Sequence, residues 1–197
     1  GWYDGADYRH LTNPVLGGCN PGLALTVWDS ENAVGGADEL YEVVLEANYA
    51  AIEQVKPENH WNQPHEAAVK VLTRGLVKLG LLKGRVDSLL KKEAYRQFFM
   101  HRTGHWLGMD VHDVGDYKVG EEWRVLEPGM VLTIEPGLYV APGSKGVAKK
   151  WWEIGIRIED DVLVTRDGCE VLSRDVPKEP DEIEALMAGK TQRKTKK

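Results

Sequence analysis

The chain has 197 residues, 42% hydrophobic and 28% charged, the balance of one soluble domain with enough residues to bury a real core. No apolar run is long enough to cross a membrane, and residues 1–10 lack the basic and apolar regions of a signal peptide. Net charge is −6, but the last eight residues carry five basic groups, leaving 20 basic against 31 acidic groups in the body, which argues against nucleic acid as its partner.

Residues 1–37 are rich in Gly, Asn, Asp and Trp and read as an irregular leader, with LALTVW (23–28) a candidate short strand between turn signals. From Asp38 the chain turns regular. Asp38 is placed to cap a helix running to about Val55, with Leu40, Val43, Val44, Ala47, Ala51 and Val55 at helical spacing. A second helix is predicted from Asn62 to Leu79, with Ala68, Leu72, Leu76 and Leu79 as its apolar stripe and Gly80 just past its end. A short third helix is predicted over 87–96. Beyond residue 97 the runs become strand-like. MVLTIE (130–135) is apolar, and in 154–164 Ile154, Ile156 and Ile158 alternate with Gly155, Arg157 and Glu159. A last helix is predicted over 180–187, and the basic tail 189–197 is expected to be a solvated, disordered terminus. Cys19 and Cys169 are too few for a disulfide scaffold and read as free thiols in a reducing compartment, hence a cytoplasmic protein.

Three segments hold chemistry. FFMHRTGHWLGMDVHDVG (98–115) carries His101, His105 and His112, three of the six histidines, and its glycines speak against a helix there. LEPGMVLTIEPGLYV (126–140) places Glu127 in a solvated turn and Glu135 at the end of an apolar run, where a buried carboxylate needs a cationic partner. Arg157 and Glu159 share one face of a strand whose other face is apolar. One His and two Glu on separate segments form a mixed nitrogen and oxygen set suited to Mn²⁺, Zn²⁺, Co²⁺ or Fe²⁺.

In that order these runs, with ELYEVVLEAN (39–48), RGLVKLGLLKG (74–84) and KEPDEIEALM (178–187), resemble the catalytic domain of the Xaa-Pro aminopeptidases, within the pita-bread metallopeptidases. The resemblance covers roughly three quarters of the chain. It implies an α+β fold, a curved and mostly antiparallel sheet with covering helices, here over 38–188. It implies a divalent metal, most often manganese, with zinc or cobalt as alternatives, that activates the water attacking a peptide bond before proline. The family's ligand order is Asp, Asp, His, Glu, Glu, and the last three correspond to His105, Glu135 and Glu159. Glu135 would also guide the proton of the attacking water. His101 and His112 would line the substrate site and stabilise the tetrahedral intermediate, and Arg157 would orient groups around Glu159.

The chain departs from the family at the two Asp ligands. The run before the first helix, TVWDSENAVGGAD (26–38), lacks their pattern, and a deletion or an unrelated leader in 1–37 accounts for it equally. Asp4, Asp29, Glu31 and Asp38 are candidate stand-ins. His105, Glu135 and Glu159 still make three ligands, enough for one ion with open positions. Missing strands would leave sheet edges to be covered by residues 1–37 or by a second copy of the chain in a homo-oligomer. Three functions stay open: an aminopeptidase-like hydrolase of proline-containing peptides with one or two ions and reduced activity, a non-catalytic peptide- or protein-binding module, and a one-metal esterase or lactonase.

Overall fold

The computed structural model describes residues 26–28 and 36–187. Most of the expected leader, with Asp4, Cys19, Asp29 and Glu31, and the basic tail lie outside the described residues. In chain order the elements are β1 (Thr26–Trp28), α1 (Ala37–Ile52), α2 (Asn62–Lys78), α3 (Val86–Lys91), β2 (Lys118–Val119), β3 (Glu122–Trp123), β4 (Val131–Ile134), β5 (Gly137–Val140), β6 (Ile154–Arg157), β7 (Asp160–Val164), β8 (Cys169–Val171) and α4 (Pro180–Met187).

Asp38 does not cap α1. Gly36 does: its carbonyl accepts the Leu40 N–H at 3.2 Å, and Asp38 and Glu39 sit in the first turn, where negative charge suits the helix dipole. The helix stops at Ile52, short of Val55, because Gln54 and Val55 bond three residues back, to Ala51 and Ile52, and tighten the last turn. Leu40, Val44, Ala47 and Ala51 form its fully buried stripe. At the end of α2 the Gly80 N–H donates to Val77 O at 3.1 Å and the Leu81 N–H to Leu76 O at 2.9 Å. Gly80 takes φ 79°, so this is a Schellman cap on the predicted glycine. The third predicted helix breaks in two. α3 ends at Lys91, Glu93 turns left-handed at φ 50°, and Ala94–Gln97 form a separate 3₁₀ turn. None of the α3 residues is buried, so little packing favours a longer helix.

All strand pairs are antiparallel, in the orders β1-β6-β5 and β4-β7-β8, with β2-β3 a separate hairpin. The run 154–164, read from sequence as one alternating strand, is two strands that bend at Ile158 and Glu159 and pass from one ladder to the other. Opposite that bend, β4 passes to β5 through Glu135 and Pro136, and proline has no N–H to donate to a ladder. The register is continuous across both bends: Ile134 faces Asp160 in one ladder and Gly137 faces Arg157 in the other. Glu135 therefore stands directly opposite Glu159.

Alternation survives the bends. Leu132, Ile134, Leu138, Ile154, Ile156, Ile158 and Val162 are buried on one face, and α1 packs on β4, β5 and β6. Each such side chain contributes about 1.5–3 kcal/mol. Thr133, Glu135, Tyr139, Arg157 and Glu159 occupy the alternate positions, on the opposite face. The expected α+β architecture of antiparallel strands under covering helices is thus present, and Cys169 is a free, half-buried thiol.

Candidate metal centre

The His-rich run reaches the site as an extended segment along β4. The Glu135 N–H donates to Thr103 O at 2.6 Å, the Thr133 N–H to His105 O at 3.0 Å, and the Leu107 N–H to Val131 O at 3.1 Å. The His105 N–H donates to Thr133 Oγ1 at 3.0 Å. Gly104 allows this approach: a Cβ there would lie 1.9 Å from Thr133 O. As the glycines foretold, no helix forms over 98–115.

His105 Nε2 lies 3.4 Å from Glu135 Oε1. Glu159 completes a set in which one ligand atom from each of His105, Glu135 and Glu159 lies within 4.8 Å of the others. Among the described residues it is the one cluster of three or more potential metal ligands, and Asp38 is not in it. The His105 Nδ1 faces Trp106 O at 2.9 Å. A carbonyl only accepts, so Nδ1 carries a proton and Nε2 is the nitrogen that faces the carboxylates, the one left to a metal. Thr133 Oγ1 donates to Glu135 Oε1 at 3.2 Å.

Two carboxyl groups directly opposite each other on antiparallel strands repel. Burial first and the Glu135 carboxylate second push the Glu159 carboxyl up to about 7, against the pull of Arg157 and His105. A divalent cation removes this conflict, and a neutral imidazole with two carboxylates is a common donor set for one. The residues present fit such an ion.

The other expected site residues surround this cluster. His101 Nδ1 donates to Arg102 O at 2.7 Å, which leaves Nε2 to accept the Tyr139 hydroxyl at 2.8 Å. Burial lowers the His101 pKa, in keeping with the neutral ring, and raises that of Tyr139 to about 12. His112 is exposed, its ring 4.3 Å from that of His105 and edge-on to it. Arg157 Nε is 4.0 Å from Glu159 Oε2 and is buried without a hydrogen-bond partner among the described residues. Glu127 is exposed in its turn, as expected. Two site residues escaped the sequence reading, Thr133 and Tyr139. Their signal was period two: Thr133 is the one polar residue two positions before Glu135, and Tyr139 follows Glu135 by four.

The profile of metallopeptidase family M24 matches residues 23–166. The Xaa-Pro aminopeptidase of Haemophilus influenzae is 49% identical over 76% of this chain and 34% of its own length, and that of Escherichia coli 50% identical over 77% and 34%. The structure of the Pseudomonas aeruginosa aminopeptidase PepP superposes with a TM-score of 0.76 at 66% identity, covering 77% of this chain and 34% of that one. The chain thus spans about a third of the length of the relatives it matches. With the profile running across α1, the His-rich segment and both glutamate bends, the chain belongs to metallopeptidase family M24.

Proposed function

We propose that the chain binds one divalent ion, manganese in the first instance, through His105, Glu135 and Glu159 and hydrolyses the bond after the N-terminal residue of peptides with proline second. The observation that carries this reading is the cross-strand pair Glu135 and Glu159 converging with His105 Nε2. Its support in other proteins is the Xaa-Pro aminopeptidase activity named for the relatives. When bound, the ion supplies a Lewis acid that makes water nucleophilic near neutral pH and polarises the scissile carbonyl.

The chain's own residues do the rest. Glu135, on the open side of the bend, takes the proton of the attacking water and returns it to the leaving amine. Thr133 holds the Glu135 carboxylate in orientation through its hydroxyl. Arg157 steadies Glu159 from 4.0 Å. His101 and His112 flank the substrate carbonyl, with His101 Nε2 holding the Tyr139 hydroxyl at 2.8 Å. In this reading the catalytic body is 38–188, the protein is cytoplasmic and a second copy covers its open sheet edges. Among the described residues no helix is long and apolar enough to cross a membrane.

A second reading, a non-catalytic peptide-binding module, is favoured by the set of three ligands found among the described residues, because a single ion held by three side chains binds more weakly than a shared pair. Titration of Mn²⁺ into chelator-stripped chain by calorimetry, followed by a Xaa-Pro peptide assay, separates the two. One ion per chain with cleavage supports the hydrolase. Two ions mean that residues beyond the three ligands contribute. No uptake at millimolar Mn²⁺ rejects the enzyme and leaves the binding module.

A further inference from the structure

The buried face of the sheet has one charged intruder. Asp160 opens β7 among Ile134, Ile158 and Val162, and only 2% of it is exposed. Its Oδ2 accepts from Lys178 Nζ at 2.5 Å and its Oδ1 from Ser173 Oγ at 2.6 Å. Lys178 precedes α4, and its carbonyl is tied to α1 by the Tyr41 hydroxyl at 2.6 Å. The same ammonium donates to Asn48 Oδ1 at 3.0 Å and lies 4.5 Å above the Tyr49 ring.

Asn48 is fully buried on α1, and three of the four hydrogen-bonding positions of its amide are used. Nδ2 donates to Ile134 O at 3.2 Å and reaches Ile158 O at 3.5 Å, the outer limit of a hydrogen bond. Those two carbonyls share their peptide planes with the N–H groups of Glu135 and Glu159. The plane before Glu135 is held at both ends, by Asn48 on its oxygen and by Thr103 O on its N–H at 2.6 Å. Fixing a peptide plane fixes the following N–Cα bond and leaves only φ to set the direction in which the Cα–Cβ bond leaves.

We propose that Asn48, locked by Lys178 and Asp160, is a positioning residue that sets the spacing of the Glu135 and Glu159 carboxylates from behind the sheet. One side chain on α1 spans the two bends, and those bends carry the only two carboxylates of the cluster. Lys178 fixes which end of the Asn48 amide donates, because an ammonium must meet its oxygen. The C-terminal segment before α4 thereby acts on the ligands without touching them. The inference rests on His105, Glu135 and Glu159 being metal ligands.

The test uses the whole chain with Asn48→Leu and Lys178→Met, and Lys178→Arg as the conservative rescue. Two readouts are taken: Mn²⁺ affinity by calorimetry, and amide hydrogen exchange without metal at Glu135 and Ile158 relative to Leu72 in α2. The expected result is a fall in Mn²⁺ affinity of about 10–100-fold, with exchange accelerated at the bends more than in α2, and restoration of both by Lys178→Arg. If Asn48→Leu does not fold, Lys178→Met decides on the same criteria. Affinity within twofold of wild type, or exchange raised evenly along the chain, overturns the inference and leaves Asn48 a purely structural residue. A wild-type chain that takes up no Mn²⁺ overturns the metal reading itself, and the inference with it.

Discussion

Replacing Gly104 with alanine is the sharpest probe of how His105 is delivered. A Cβ at this position would lie 1.9 Å from Thr133 O and 3.0 Å from Thr133 C, and neither atom belongs to a side chain that can swing away. Restoring a normal contact requires the segment 103–107 to withdraw from β4 by about 1 Å. Three short bonds stretch toward breakage: Glu135 N–H to Thr103 O at 2.6 Å, His105 N–H to Thr133 Oγ1 at 3.0 Å and Thr133 N–H to His105 O at 3.0 Å. At about 1 kcal/mol each they predict a loss of about 3 kcal/mol in stability. Metal–ligand distances tolerate only about 0.2 Å, so His105 displaced by 1 Å leaves the set, and Mn²⁺ affinity falls by about 10–100-fold. Urea unfolding of the metal-free chain and calorimetric Mn²⁺ titration measure the two effects. Gly168→Ala is the control: nothing lies within 4 Å of its Cβ, so a change below about 0.5 kcal/mol is expected. A Gly104→Ala chain that binds Mn²⁺ within twofold of wild type refutes this account of the site.

Further outcomes follow from the same geometry. Glu135→Gln removes one ligand charge and the proton acceptor, so hydrolysis of a Xaa-Pro peptide is expected to fall by at least about 100-fold; cleavage that survives the change has another chemistry. Burial first, and the Arg102 guanidinium second, lower the His65 pKa to about 4, where its Nδ1 meets Thr103 Oγ1 at 2.8 Å. Below the unfolded value near 6.5 the unfolded chain binds a proton that the folded chain refuses. His65 thus leaves stability intact above pH 6.5 and drains it as pH falls toward 4, by on the order of 3 kcal/mol. His65→Gln should flatten that slope in urea unfolding between pH 7.5 and 4.5, and equal slopes in both chains would contradict it.

Much of the architecture was legible in the residues because it follows local rules. The 3.6-residue spacing of Leu40, Val44, Ala47 and Ala51 marks α1, and Gly80 marks the end of α2. The structure departs from the local signal where that signal competes with packing. Asp38 has capping chemistry, but Gly36 packs beside Trp151, where a Cβ would meet its ring at 2.9 Å, and the helix starts from there. The alternation over 154–164 was read correctly in its facing, yet the bend at Glu159 was invisible, since period two continues through it.

His101, His105, His112, Glu135, Arg157 and Glu159 all stand out by residue type and order, and the alternation over 154–159 by itself sets which face of that strand is apolar. The sequence could not determine that Glu135 stands opposite Glu159, because register is a relation between strands about 24 residues apart and is set by pairing. Nor could it reveal that Asn48, in a helix stripe, and Lys178, before the last helix, meet behind that pair. Local pattern reports what a residue prefers within a few neighbours. Only the closing of α1 and the C-terminal segment over the sheet decided which preferences share one place, and a metal centre is made of that shared place.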